Sequence, residues 1–171
     1  APPALLFLDD FEDMAFTRAT WGPAGAYSFA QGRSGGGIRV VQSAPGGSLL
    51  INASVDLAGA GGCTVAFSAH MRTEKVEADD DPRTGAALYL RIHSRGGPNE
   101  VHALPAAEGS RDWWNAGILI AVPAEAESAD LYAGLEGSAG RVIIDNVRLE
   151  IVRTPADFPP PRDPAIPIDK A

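Results

Sequence analysis

Several stretches of this chain alternate apolar and polar residues with a period of two, and that regularity limits the fold more than any other feature. Over 64–72, Val65, Phe67, Ala69 and Met71 fall on one side, and Thr64, Ala66, Ser68, His70 and Arg72 on the other. Successive side chains of an extended strand point to opposite faces, whereas a helix needs apolar spacings of three and four. The device repeats over 87–93, where Leu88, Leu90 and Ile92 oppose Tyr89, Arg91 and His93. It returns over 113–122, with Trp114, Ala116, Ile118, Ile120 and Val122 opposite Trp113, Asn115, Gly117, Leu119 and Ala121. Over 131–136, Leu131, Ala133 and Leu135 face away from Tyr132, Gly134 and Glu136, and 140–152 carries the last such pattern.

Shorter apolar runs at Leu5 to Leu8, Ile38 to Val41 and Ser48 to Leu57 add three strands, set off by the turns Ser34-Gly35-Gly36-Gly37 and Pro45-Gly46-Gly47. The chain's 19 glycines and 14 prolines supply turns between short apolar segments. These patterns predict an all-β domain: a β-sandwich of jelly-roll type with about eight or more antiparallel strands. A helical turn is expected only within 123–130. The acidic stretch 73–85 reads as a solvated strand connection, with calcium binding there as the alternative. After Val152 the alternation stops, and Pro155, Pro159, Pro160, Pro161, Pro164 and Pro167 crowd the remainder. The expected organisation is a sandwich over 1–153 and a Pro-rich tail or linker over 154–171 leading toward a further domain.

A formal charge of -8 argues against a nucleic-acid partner, since a polyanion is repelled where no basic cluster stands out along the chain. The single cysteine, Cys63, rules out an internal disulfide and reads as a small buried residue after a Gly-rich turn. No apolar run is long enough to span a membrane as a helix. The opening Ala1-Pro2-Pro3-Ala4 fits the region following a signal-peptidase site, so a secreted, periplasmic or extracellular location is expected.

Three separated segments carry a resemblance. Leu8-Asp9-Asp10-Phe11-Glu12-Asp13 followed by Trp21, then Arg33-Ser34-Gly35-Gly36-Gly37-Ile38-Arg39-Val40, then Ile144-Asp145-Asn146-Val147-Arg148-Leu149, resemble in order and spacing the opening, the second segment and the closing strand of carbohydrate-binding modules of families four, nine and twenty-two. The resemblance implies a galactose-binding-like jelly roll, a polysaccharide or oligosaccharide partner, and a covalently linked catalytic domain. In those modules, residues matching the opening acidic stretch and the closing Asp hold a structural Ca2+. Independently of family, Asp10 and Glu12 stand two apart, so on a strand their carboxylates share a side and repel unless a cation intervenes. Asp145 would supply a third carboxylate, and carbonyls of the turn at Ser34 and Gly36 would complete the shell. Solvated or turn-capping carboxylates are the plainer alternative.

If the strands 64–72, 87–93, 113–122 and 131–136 share one sheet, their outward positions form one surface carrying His70, Arg72, Tyr89, Arg91, His93, Trp113, Asn115, Tyr132 and Glu136. Sugars present apolar C–H faces edged by hydroxyls, so a binder needs aromatic planes beside polar groups, and this set has both on the expected concave face. The arginines and histidines would also suit an acidic sugar. Packing of the aromatics under loops or against a neighbouring domain is the competing reading, and a bulge near Asp112-Trp113-Trp114 would exchange the two tryptophans.

Catalytic motifs are missing: no Glu-x-Asp-x-x-Glu strand of laminarinase-like enzymes, no Gly-x-Ser-x-Gly elbow, no phosphate loop and no His-Glu-x-x-His occur. The reading is a non-catalytic module. A purely structural sandwich, or a lyase built on Tyr89, Arg91 and His93, are the alternatives. Asn52-Ala53-Ser54 matches a glycosylation sequon inside an expected strand.

Overall fold

A computed structural model describes residues 4–155. Ten strands appear among them: β1 (Ala4–Asp9), β2 (Ser28–Gln31), β3 (Gly36–Gln42), β4 (Leu49–Asp56), β5 (Thr64–Glu77), β6 (Gly85–Ser94), β7 (Glu100–Ala103), β8 (Gly109–Ala121), β9 (Ala126–Glu136) and β10 (Ala139–Arg153). All pair antiparallel, in a larger sheet ordered β2-β3-β10-β5-β8 with β1 added beside β10, and a smaller sheet ordered β4-β9-β6-β7. The expected all-β sandwich is the fold observed.

The alternating segments deliver one face each to the space between the sheets. Ile38, Val40, Phe67, Ile144 and Leu149 from the larger sheet meet Ile51, Leu90, Ile92, Leu131 and Leu135 from the smaller, all sealed from solvent. Burying such side chains is the dominant drive to close the two layers. Cys63 is buried, as expected of it.

Strand β10 organises one end of the sandwich. Its first half, 140–144, pairs with β3, and its second half, 147–151, pairs with β1. The change of partner falls at a bulge where Asp145 sits opposite His70 but Arg148 opposite Ser68, with Asn146 at φ 53. A bulge inserts an unpaired residue and re-aims its neighbours, here bringing the Asp145 carboxylate toward the loop at 32–35.

Several local expectations need correction. The segment 123–130 is not a helical turn beyond residue 125, because β9 begins at Ala126. The loop expected over 73–85 is strand as far as Glu77, since β5 continues through a bulge at Lys75 (φ 51). A short helix α1 (Met14–Thr20) occupies what reads as loop, its N-terminus capped by Asp13 Oδ1, which accepts from the Ala15 and Phe16 amides at 3.0 and 3.2 Å. Strands β2 and β7 escape the pattern because four residues show too little alternation. Ala1, Pro2, Pro3 and the Pro-rich tail from residue 156 onward lie outside the described residues. Among those described, no helix is long and apolar enough to cross a membrane.

Candidate functional site

The four strands expected to carry one binding face belong to two sheets. β5 and β8 pair in the larger sheet, β6 and β9 in the smaller. The outward residues therefore divide: His70, Arg72, Trp113 and Asn115 stand on the outer face of the larger sheet, and Tyr89, Arg91, His93, Tyr132 and Glu136 on that of the smaller. Alternation tells which side of a strand is inside, but both sheets turn their apolar side to the same core, so it cannot tell one outer face from the other. A bulge does fall between Arg111 and Trp114, yet Trp114 still packs against the core and Trp113 points outward.

On the smaller sheet, a cleft of about 510 Å³ lies over β6 and β7 and touches β9 at its last residue, Glu136. Register sets Tyr89 directly opposite Tyr132, and their rings stack at 4.7 Å between centroids and 14° between planes. The Arg91 guanidinium lies over the Tyr132 ring at 5.7 Å. Cross-strand aromatic pairing fixes both rings with little remaining freedom. Beside Tyr89 the cleft floor drops, because the next outward position on β6 is Ala87, whose cross-strand partner is Gly134. Glu136 closes this hollow. Its Oε2 is withdrawn from solvent and has no hydrogen-bond partner. Burial, reinforced by the Glu136 charge, pushes the Tyr89 hydroxyl above its ordinary value, so it remains a neutral donor.

The wall of the cleft comes from residues that sequence reasoning passed over. Asp81 holds Arg83 through a forked contact of 2.8 Å to Oδ2 and 3.1 Å to Oδ1, which lowers its carboxyl to about 2. Thr84 Oγ1 donates to Asp79 Oδ1 at 3.0 Å or to the Asp81 carbonyl at 2.7 Å. This stretch, expected to be only a solvated connection, is folded by its own side chains against the cleft. The available signal was the Asp-x-Asp-x-Arg-Thr spacing, which suits successive side-chain-capped turns.

Further along the same face, the Asp130 carboxylate links two neighbours: Ser54 Oγ donates to Oδ1 at 2.9 Å and His93 Nε2 lies 2.8 Å from Oδ2. His93 Nδ1 lies 3.0 Å from Asn99 Oδ1. The aspartate stands between serine and histidine, so the histidine has no access to the hydroxyl and the trio is not a nucleophilic relay.

The opening acidic stretch is built differently from the expectation. β1 ends at Asp9 and Phe11 adopts φ 59, so Asp10 and Glu12 do not share a strand face. The buried carboxylate is Asp9, which accepts from the Phe11 amide at 2.7 Å, Thr17 Oγ1 at 2.9 Å and Trp21 Nε1 at 3.1 Å. Asp10, Glu12, Ser34 and Asp145 nevertheless border one depression, together with Arg33 and His70. There the Gly36 amide donates to Glu12 Oε1 at 2.7 Å and the Ser34 amide to Asp145 Oδ2 at 3.1 Å. Ser34 and Gly36 thus offer N–H groups to the carboxylates rather than carbonyls to a cation. Asp145 Oδ1 is buried without a partner, and burial raises the carboxyl above its usual range. Among the described residues no three His, Cys, Asp or Glu side chains are close enough together to hold a metal ion as they stand.

No family model matches the chain, and no curated protein matches it in sequence. Solved structures do match in shape. A xylan-binding domain of carbohydrate-binding module family 22 superposes with a TM-score of 0.60 at 13% identity, covering 86% of this chain and 95% of that one. The family 22 xylan-binding domain of a Paenibacillus barcinonensis protein gives 0.56 at 14%, covering 90% and 99%. A family 16 carbohydrate-binding module gives 0.56 at 17%, covering 75% and 89%. The chain has the β-jelly-roll fold of these carbohydrate-binding modules. At such identities the fold is what is shared.

Proposed function

We propose that this chain is a non-catalytic carbohydrate-binding module that holds a polysaccharide or oligosaccharide in the cleft over the smaller sheet. One observation carries the reading: Glu136 Oε2 is a buried acceptor without a donor, in a cleft floored by Ala87 and walled by Tyr89, whose ring is held against Tyr132. An unpaired buried acceptor costs free energy, and a sugar hydroxyl would remove that cost while its C–H face lies against the tyrosine ring. Ser48, Asp81 and Arg83 stand at the rim to read further hydroxyls. Xylan is the first candidate, because the family 22 structures sharing the fold are described as xylan-binding. An extracellular or periplasmic location goes with this reading, since such polymers are met outside the cell. So does a linked catalytic domain: in a Clostridium thermocellum xylanase structure a family 22 module is joined to a GH10 module, this chain covering 29% of that one with a TM-score of 0.61.

Titration with xylan, mixed-linkage glucan and galactan tests the reading. The wild type is expected to bind at least one, and Tyr89→Ala to weaken that binding about tenfold. Binding that is indifferent to Tyr89→Ala would remove the cleft from consideration.

Calcium at the depression bordered by Asp10, Glu12 and Asp145 is a second part of the proposal. Its support is the three carboxylates on one depression and the unpartnered Asp145 Oδ1. Asp145 Oδ1 and Glu12 Oε2 would coordinate while Oδ2 and Oε1 keep the amides they now accept from. Addition of calcium is then expected to raise the melting temperature and a chelator to reverse the gain. A melting temperature indifferent to both rejects the ion.

A further inference from the structure

The outer face of the larger sheet has its own chemistry. Register aligns Arg39 of β3, Ile143 of β10 and Arg72 of β5 side by side, and Trp113 of β8 follows Arg72. Together with Arg33 and Gln31 they line a trough of about 420 Å³. Two strand spacings separate Arg39 from Arg72, roughly 10 Å between their backbones. Among the described residues no carboxylate lines the trough. Arg72 Nε has an ion-pair partner in Asp112 at 3.9 Å, whose side chain is 88% exposed. Arg33 Nη1 contacts the His70 ring at 3.3 Å, which is not an anion. Arg39 Nε is buried and has no hydrogen-bond partner.

This is unusual for the same sheet. One residue pair along β10, Arg141 meets Glu74 directly across the strands at 3.1 Å, the ordinary way to neutralise an outward arginine. In a chain of formal charge -8, carboxylates are plentiful, yet among the described residues only the exposed Asp112 pairs with an arginine of the trough. Guanidiniums gathered on one face with so little compensation raise the energy of the free protein, and an anion shared among them reverses that. Guanidinium forks match the two oxygens of a carboxylate or sulfate group, and Trp113 offers an aromatic plane at their side. An anionic group beside an apolar ring face is the chemistry of an acidic sugar.

We propose that this trough is a second saccharide site, selective for sugars bearing a carboxylate or a sulfate ester and separate from the neutral-glycan cleft on the opposite face. The saccharide identity of the ligand rests on the carbohydrate-binding reading above; its charge rests on the larger sheet alone.

Affinity electrophoresis at about 0.15 M salt, where long-range attraction is screened, tests it with three gels containing polygalacturonate, a sulfated galactan or neutral xylan. The wild type is expected to be retarded by at least one of the two acidic polymers, and which one assigns carboxylate or sulfate. Arg39→Gln/Arg72→Gln is expected to weaken that retardation about tenfold or more, Trp113→Ala to weaken it too, and Tyr89→Ala to leave it unchanged. Should the double variant not fold, the Trp113 indole N–H resonance of the wild type provides the same reading: it shifts on addition of trigalacturonate or a sulfated disaccharide. Absence of retardation by both acidic polymers, equal retardation of the double variant, or an unmoved Trp113 resonance overturns the proposal. Equally strong retardation by DNA overturns it as well, showing a response to any polyanion. Loss of acidic-polymer binding in Tyr89→Ala alone would move the ligand to the cleft and end the trough proposal, whereas failure of xylan to bind leaves the trough untouched and counts only against the cleft.

Discussion

His93 lies between Asp130 and Asn99 on the outer face of the smaller sheet, and its protonation decides how firmly β6 is tied to β9 there. The bond to Asp130, then that to Asn99, raises the imidazole above its usual 6.5. Burial works to raise the Asp130 carboxyl, but the bonds from His93 and Ser54 outweigh it and hold the group below its usual 3.8. A raised histidine contributes stability that is complete below the unfolded value and lost as pH climbs through the folded one. A lowered carboxylate contributes above its unfolded value and fails as pH falls through the folded one. The pair is therefore at full strength between about pH 4 and about pH 6.5. Melting temperature is expected to fall as pH rises above about 6.5 in the wild type, and less so in His93→Gln; identical slopes would show that the pair does not act this way. Among single residues, outward positions such as Tyr89, Tyr132 and Glu136 were legible from alternation. Asp9 was not: with Asp9 and Asp10 adjacent, the choice of the buried one depends on Thr17 and Trp21, eight and twelve positions later, which only the fold brings near.

At the level of strands, alternation located five of the ten and apolar runs between turns three more, and the inward faces read from alternation are the ones buried. What it could not reveal was pairing. β5 runs with β8 and β10, β6 with β7 and β9, and only that partition separates the arginine trough from the tyrosine cleft. One such pairing sets Gly134 of β9 between Ala87 of β6 and Leu50 of β4. Gly134 adopts φ 144, and a Cβ there would collide with the Leu49 carbonyl of β4. Gly134→Ala is expected to cost about 2 kcal/mol or more in urea unfolding, because both backbone strain and overlap oppose it. Gly117→Ala provides the contrast: its Cβ would meet Ser68 Cβ at an ordinary 3.5 Å, and stability should hold or rise. Equal losses at the two positions would contradict the special backbone requirement at Gly134. Helix α1 was missed at this scale because seven residues fall short of two helical turns, too few to show a periodic face.

For the whole molecule, three short segments of resemblance and a run of alternating strands pointed to a jelly roll, and the described residues form one. The segments at Asp9 to Asp13, Ser34 to Gly36 and Asp145 do converge in space beside the bulge in the middle of β10. Their carboxylates are, however, partly engaged by backbone amides, a detail that depends on loop conformation and on the bulge after Asp145. The sandwich offers two outer faces of opposite character, one with stacked tyrosines and a carboxylate oxygen without a partner, one with clustered arginines and a tryptophan. The central claim, that a glycan lies across the smaller sheet, is tested most directly by recording backbone amide shifts while adding a neutral xylo-oligosaccharide. The account predicts saturable shifts at 81–84, 87–91 and 132–136, with the outer face of the larger sheet unmoved. Shifts confined to Arg39, Arg72 and Trp113, or none with any neutral glycan, would contradict it.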